Sequence, residues 1–165
     1  MIKILFICHG NICRSPMAEF IFKDMVEKLN IKDSFLIESR ATSSEEIYNG
    51  IGNKIYPPAR CELINLGIGK TPYTNFENKR AEILTKRDYD NFDLLICADS
   101  YNISNTLRIV GKDDSNKIKL LLDYAGYRNK SISDPWYTGD FKRTSKDIME
   151  GLNGLLDYLK IRKLI

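Results

Sequence analysis

Residues 4–16 decide the fold of this chain, and they read ILFICHGNICRSP. The run begins with apolar strand-forming residues and is interrupted at Gly10 and Asn11, which is typical of a buried strand of a parallel sheet. From there the sequence predicts a helix, because apolar residues recur at helical spacing at Met17, Phe20, Ile21, Met25, Val26 and Leu29. A short loop between such a strand and helix binds anions, since the first helical N–H groups lack partners and the helix dipole is positive there. Gly10 and Asn11 tolerate positive φ, which lets the loop amides point inward.

The same loop carries three side chains suited to phosphoryl transfer. Cys8 ends the strand, and the helix terminus together with Arg14 favours its thiolate form. Arg14 offers a fork of donors that matches two phosphoryl oxygens, and Ser15 can donate a hydrogen bond to the sulfur. The pattern predicts a nucleophile at the bottom of an oxyanion-binding loop. In the alternative interpretation Cys8 is a core residue and Arg14 a solvated one, which the strand before them and the helix start after them disfavour.

This stretch, with Ala18 and Glu19 after it, resembles the signature of the low molecular weight protein tyrosine phosphatase family. The second motif of that family, an Asp-Pro followed by aromatic residues, is matched by residues 134–137, which read DPWY. The resemblance implies an enzyme that hydrolyses phosphotyrosine in proteins and small aryl phosphates through a phosphocysteine intermediate. Weaker similarities extend it over nearly the whole chain, at residues 39–43, 56–59 and 92–99.

The rest of the chain alternates strands with helices. Further buried strands are predicted at residues 34–42, 94–98 and 118–122, and helices are predicted to begin near Pro57, at Asp99 and at Asp140. Residues 43–56 are polar and contain two glycines, so we expect a long surface loop there. The alternation predicts one α/β domain over residues 1–165, with a parallel sheet covered by helices on both faces. The family resemblance implies a flavodoxin-like, doubly wound sheet of four strands in the order 2-1-3-4.

The resemblance also implies a role for each residue of the two motifs. Cys8 attacks phosphorus, Arg14 stabilises the transferred group and Asp134 is the general acid and then the base. Without the rest of the pattern, Asp134 would be expected to be a turn residue. Trp136 and Tyr137 are expected to wall the substrate pocket, although core packing is the alternative for Trp136. The remaining substrate-binding residues are expected to be His9, Gly10, Asn11, Ile12, Cys13 and Ser15.

Two stretches depart from the family pattern. Glu45 and Glu46 stand where many relatives have an aromatic pocket wall, so the peptide preference is expected to differ. Residues 78–82 contain no histidine where many relatives have one that steadies the phosphate loop, so the support of the loop must differ too. Asn11 is expected to prop the loop, and Asp99 either anchors it or only caps a helix.

Composition narrows the function classes. A net charge of +3 without a basic stripe gives little support to nucleic-acid binding, and no apolar run is long enough to span a bilayer. We expect a cytoplasmic protein that is a monomer or weak dimer, and the mechanism that the resemblance implies needs no metal and no cofactor. The four cysteines form neither a disulfide framework nor a zinc pattern, and Cys61 and Cys97 are predicted to be buried structural thiols. Cys13 is either a packing residue or the partner of Cys8 in a reversible disulfide.

Three other functions remain open. A thioredoxin-coupled arsenate reductase of the same fold would need a relay of further cysteines on a mobile segment. A protein-arginine phosphatase would carry Thr in place of Ile12. A non-catalytic phosphate- or flavin-binding module would not need Cys8, Arg14, Ser15 and Asp134 together.

Overall fold

Four parallel strands form the central sheet of the computed structural model, which describes residues 1–165. The first two are β1 (Ile2–Cys8) and β2 (Phe35–Ala41), and between them runs helix α1 (Arg14–Lys28). A small hairpin, β3 (Ile47–Tyr48) and β4 (Ile51–Gly52), precedes the last two sheet strands, β5 (Leu94–Cys97) and β6 (Ile118–Leu120). The spatial order is β2-β1-β5-β6, which confirms the predicted order 2-1-3-4. Strand β1 pairs in parallel with both β2 and β5.

Helices cover both faces of this sheet because side chains alternate along the strands. One face packs against α1, α2 (Pro57–Asn65) and α6 (Phe141–Ile161). The other face carries α3 (Lys86–Asn91) and α4 (Ser100–Val110), while α5 (Pro135–Thr138) is a single turn in the loop before α6. In β1, the even-numbered residues from Ile4 to Cys8 join the core beneath α1 and α6, and Leu5 and Ile7 join the core on the α3–α4 side. None of the six helices combines the length and apolar composition needed to cross a lipid bilayer.

Helix α6 lies unusually close to the turn that follows β6. A Cβ added to Gly154 would come within 2.3 Å of the backbone oxygen of Tyr124, and one added to Gly151 within 2.5 Å of the Leu121 side chain. Gly154 therefore permits a contact between backbones that a larger residue would prevent, and Gly151 leaves room for the Leu121 side chain. Leu152, Leu155 and other apolar residues of α6 fill the core beneath this contact.

Two predictions on individual segments are wrong. The stretch predicted as a loop at residues 43–56 contains the β3–β4 hairpin, with Ile47 paired to Gly52. Cys61 is exposed rather than buried, because α2 turns Ala59, Glu62 and Leu63 inward instead. The carboxylate of Glu62 is buried but accepts a hydrogen bond of 2.8 Å from Ser145 of α6. A charged residue with a partner thus takes the interior position that the sequence pattern assigned to the thiol.

Candidate active site

The loop between β1 and α1 lies at the carboxyl end of β1, one of the two central strands of the sheet. Cys8 ends β1 and is only 4% exposed, and Asn11 has the positive φ (58°) that its loop position suggested. Because of this turn, the Asn11 backbone N–H points back to the Cys8 sulfur at 3.3 Å. The loop thus curls around Sγ, as the sequence predicts.

Side-chain hydrogen bonds determine the direction of the contact between Ser15 and Cys8. The amide nitrogen Nδ2 of Asn11 donates to Ser15 Oγ and to Ser39 Oγ, each at 2.8 Å, and Oδ1 accepts from the Glu82 backbone N–H at 3.0 Å. All the polar groups of Asn11 are therefore used. Since Ser15 accepts from Asn11, its own hydrogen is free to point to Cys8 Sγ, 3.0 Å away. Ser15 thus presents a hydroxyl donor to the sulfur.

A buried ion pair stands behind Ser39. The Ser39 hydroxyl donates to Glu19, and the Glu19 carboxylate pairs with Lys23 at 2.6 Å and with Lys79 at 3.3 Å. The side chains of Glu19 and Lys79 are 4% and 9% exposed, respectively. Lys79 also donates to the Ser39 carbonyl at 3.2 Å. Lys79 belongs to the stretch 78–82 that lacks the expected histidine, so an ammonium group supports the loop from that stretch.

Arg14 is buried at the mouth of the loop between two aspartates. Its Nη1 lies 2.8 Å from Asp99 and donates to the Ile132 carbonyl at 3.2 Å, and its Nη2 lies 3.3 Å from Asp134. Burial opposes the charge of the guanidinium, but the charges of Cys8, Asp99 and Asp134 outweigh it and raise the pKa of Arg14. Asp99 fulfils both expected roles, because its other oxygen accepts the Asn102 N–H at 2.8 Å and caps α4.

Asp134 reaches the site from the loop that follows β6. One carboxylate oxygen caps α5 by accepting the Trp136 N–H at 3.1 Å, and the other faces Arg14. The following aromatics are exposed, Trp136 by 59% and Tyr137 by 85%, and Trp136 leans on Tyr56 with ring centroids 5.3 Å apart. Trp136 is thus a surface residue of the site and not a core residue.

These groups surround a cleft of about 1030 Å³. Nine of the eleven predicted site residues line it, whereas Asn11 and Ser15 lie behind the loop, each at most 2% exposed. The first turns of α4, with Tyr101, and residues 131–133 also line the cleft and were not predicted. Their position after β5 and β6, at the carboxyl edge of the sheet, is the signal that would have indicated them. No group of three or more His, Cys, Asp or Glu side chains is arranged to hold a metal ion.

The second thiol of the loop belongs to Cys13, which is also buried. Burial raises the pKa of Cys13 from 9.0 to about 12, and the charges of Cys8 and Asp134 add to the effect. Cys13 therefore stays a neutral thiol at physiological pH. The four cysteines are free, and a reversible bond between Cys8 and Cys13 stays a prediction.

Known proteins resemble this one over nearly the whole chain. The family model described as low molecular weight phosphotyrosine protein phosphatase matches residues 3–164. The low molecular weight protein-tyrosine-phosphatase YfkJ of Bacillus subtilis is 33% identical over 99% of both chains. Its crystal structure superposes with a TM-score of 0.84 over 99% of this chain and 97% of that one, at 32% identity.

Two further solved structures are similar. The low molecular weight protein tyrosine phosphatase SP-PTP of Streptococcus pyogenes has a TM-score of 0.77 at 36% identity, covering 97% of this chain and 92% of that one. DARP, a Drosophila arginine phosphatase, has a TM-score of 0.81 at 27% identity, covering 96% and 98%. The fold is thus shared by proteins named for two different phosphorylated residues.

Proposed function

The chain belongs to the low molecular weight phosphotyrosine protein phosphatase family, and we propose that Cys8, Arg14 and Asp134 carry the activity of that family here. The observation that supports these roles best is the position of the Arg14 guanidinium. It lies at the mouth of a loop curled around Cys8 Sγ and contacts the Asp134 carboxylate at 3.3 Å. Nucleophile, anion-binding group and proton donor thus meet at one edge of the sheet.

In the first step, the Cys8 thiolate attacks the phosphorus of the phosphotyrosine in line with the scissile bond. A bond forms between sulfur and phosphorus, the bond between phosphorus and the phenolic oxygen breaks, and Asp134 gives that oxygen its proton. Arg14 and the backbone N–H groups of the loop hold the equatorial oxygens, where charge spreads in the transition state.

In the second step, the now ionised Asp134 takes a proton from water, which attacks the phosphocysteine. The bond between phosphorus and sulfur breaks, and the electron pair returns to Cys8. The Ser15 hydroxyl, held in the donating direction by Asn11, stabilises the departing thiolate. Each carboxyl and thiol group ends the cycle in the state in which it began.

Phosphotyrosine is the substrate that the walls of the cleft favour. The exposed rings of Trp136 and Tyr137 can stack on an aromatic leaving group. Ile12 lines the cleft where an arginine phosphatase of this fold is expected to have Thr, so the hydroxyl that would favour a phosphoramidate is missing. A cysteine relay for arsenate reduction has no support either, because Cys97 is buried on the α3–α4 side of the sheet and Cys61 is exposed on α2.

The wider setting is also a proposal. We place the phosphatase domain over residues 1–165 and expect it to act on phosphoproteins in the cytoplasm, as a monomer or weak dimer and without metal or cofactor. Four free cysteines fit a reducing compartment. Sedimentation tests the expected oligomeric state. Activity in the presence of a chelator tests whether a metal is needed.

Hydrolysis of para-nitrophenyl phosphate between pH 4 and 8, with a chelator present, tests the catalytic assignment. The rate should follow a bell-shaped profile, because Cys8 must be ionised while Asp134 is protonated. Cys8→Ser should abolish turnover, and Asp134→Ala should remove the basic limb of the profile. Turnover that survives in Cys8→Ser would contradict the proposal.

A further inference from the structure

The mouth of the cleft carries charges that a phosphate-binding site does not need. Glu45 and Glu46 line the cleft beside the phosphate loop, and the only basic lining residues are His9 and Arg14. Arg14 is already opposed by Asp99 and Asp134. The outer wall is therefore acidic, although the whole chain has a net charge of +3. A negatively charged wall repels a phosphate dianion, so a positively charged group elsewhere in the substrate would offset the repulsion.

Both glutamates are held in place by contacts that leave them available to a ligand. Glu45 lies 3.0 Å from His9 Nε2, and its side chain is 71% exposed. Glu46 accepts a hydrogen bond of 2.7 Å from the uncharged Asn53 amide, which orients the carboxylate without neutralising it. A Cβ added to Gly10 would come within 3.2 Å of Glu46 Cγ, so the stem of the Glu46 side chain lies directly against the phosphate loop.

Aromatic rings are the second feature of this mouth. Tyr101 is 79% exposed at the start of α4, and it lines the same cleft as the exposed Trp136 and Tyr137. Faces of aromatic rings attract ammonium and guanidinium groups. The nearby Lys130 does not use them, because its ammonium lies 3.9 Å from the ring of Tyr127, outside the cleft. The exposed carboxylate of Glu45, the partly buried carboxylate of Glu46 and the exposed rings, which hold no cation from this chain, all point to a cation from the substrate.

We propose that Glu45 and Glu46 select phosphotyrosine segments with Arg or Lys within about three residues of the phosphotyrosine. This inference rests on the proposed function, since it concerns the same cleft. Three residues of extended chain span about 10 Å, and the long side chains of Arg and Lys extend this reach. A neighbouring cation then contacts the acidic wall and the rings while the phosphate occupies the loop. A peptide with acidic neighbours meets two carboxylates instead.

The cation comes from a flanking residue rather than from the phosphorylated residue itself. Glu45 is on the exposed rim, at hydrogen-bond distance from a histidine that is itself half exposed. The bottom of the cleft is formed by the loop, where Ile12 contributes an apolar side chain. A phosphoarginine guanidinium next to the loop would therefore lie below the rim carboxylate of Glu45 and would meet Glu46 alone.

The test compares three phosphotyrosine peptides that differ only in their flanking residues, which are Arg, Gln or Glu. For the wild-type enzyme, kcat/KM should be about three- to ten-fold higher with Arg than with Glu, the size expected for one or two exposed ion pairs. The ratio should shrink when the salt concentration rises from 0.05 to about 0.5 M, because exposed charges are screened. A phosphoarginine peptide is the fourth substrate of the series.

Charge variants assign the effect to the two glutamates. The double change Glu45→Gln with Glu46→Gln should bring the Arg-to-Glu ratio close to one, and Lys at both positions should reverse it. Asp157→Asn is the matched control, since Asp157 is exposed on α6, lies outside the cleft and has no ion pair, and it should leave the ratio as in the wild type.

Equal kcat/KM values for the Arg and Glu peptides, in an enzyme that hydrolyses para-nitrophenyl phosphate, would overturn the inference and leave the proposed function intact. Faster hydrolysis of the phosphoarginine peptide than of every phosphotyrosine peptide would also overturn it. If the wild-type enzyme hydrolyses neither para-nitrophenyl phosphate nor any of the peptides, the result would instead count against the proposed function.

Discussion

The phosphate loop and the mouth of the cleft adjoin each other but are built in opposite ways. In the loop, Cys8, Asn11 and Ser15 are almost fully buried and each has a hydrogen-bond partner. At the mouth, Tyr101 and Tyr137 are mostly exposed, whereas Asn11 in the loop is 1% exposed. In the proposed mechanism the loop performs the same chemistry on any phosphomonoester, and in the further inference the mouth selects the substrate. Substitutions in the two regions should accordingly have different consequences.

The largest effect is expected for Arg14→Lys. The change keeps a positive charge but replaces the planar fork with a single ammonium, so the two equatorial oxygens are no longer bound together. We expect kcat to fall by about 100- to 1,000-fold, the usual consequence of losing a donor to the transition state. Steady-state kinetics with para-nitrophenyl phosphate measure it. A loss confined to KM would mean that Arg14 only binds the substrate.

The second prediction tests the role of Asp134 as the general acid, independently of the phosphate loop. Asp134→Asn keeps the shape of the side chain and its hydrogen bond to Trp136 but removes the proton donor. We expect a loss of about 100-fold or more in kcat/KM with phenyl phosphate, whose leaving group needs a proton. The loss should be much smaller with para-nitrophenyl phosphate, whose leaving group is stable as an anion. Equal losses on both substrates would contradict the role of Asp134 as an acid.

Much of the loop could be predicted from the sequence, because its determinants are local. The apolar strand, the Gly10-Asn11 turn and the helix start lie within thirteen residues, and each has a physical signature of its own. The partners of the loop are not local. Lys79 meets Glu19 from a distance of sixty residues along the chain, and only the packing of the sheet brings them together. No periodicity in the sequence could indicate that contact.

The mouth was predicted less well for a related reason. Trp136 and Tyr137 are predicted through a motif. Tyr101 is not, because an exposed side chain leaves no periodic pattern and only its position after β5 indicates it. The hairpin after Glu46 was missed because its strands are only two residues long. The prediction for Cys61 was wrong because of a distant contact. Helix α2 buries Glu62 instead, and the partner of Glu62, Ser145, is far away in the sequence.

The third prediction concerns the support of the loop. Glu19→Gln removes the counter-charge of Lys23 and of the more buried Lys79, which is 9% exposed, and we expect a loss of about 3 kcal/mol in the free energy of unfolding. Urea titration measures the loss. Adding Lys79→Met to the same chain should restore part of the stability, because it removes the stranded charge. A Glu19→Gln protein as stable as the wild type would show that this ion pair contributes nothing.

The fourth prediction uses the alkaline titration of the buried loop. Because the folded state holds the pKa of Cys13 near 12, against an ordinary 9.0, the unfolded state alone loses this proton above pH 9. Stability is therefore complete below pH 9 and falls as the pH rises towards 12. Cys13→Ala should reduce the stability lost between pH 8 and 10 by about 1.4 kcal/mol. Cys61→Ala is the control for removing a surface thiol, and an unchanged loss in Cys13→Ala would contradict the prediction.

The most direct test of the central claim is to trap the phosphorylated enzyme. Asp134→Ala should slow hydrolysis of the intermediate while para-nitrophenyl phosphate still phosphorylates the protein, so rapid acid quenching should capture it. We predict close to one phosphoryl group per chain, bound to Cys8 as identified by mass spectrometry, and none in Cys8→Ser. Turnover in the wild type without any phosphorylated cysteine, or a phosphoryl group on another residue, would contradict the account.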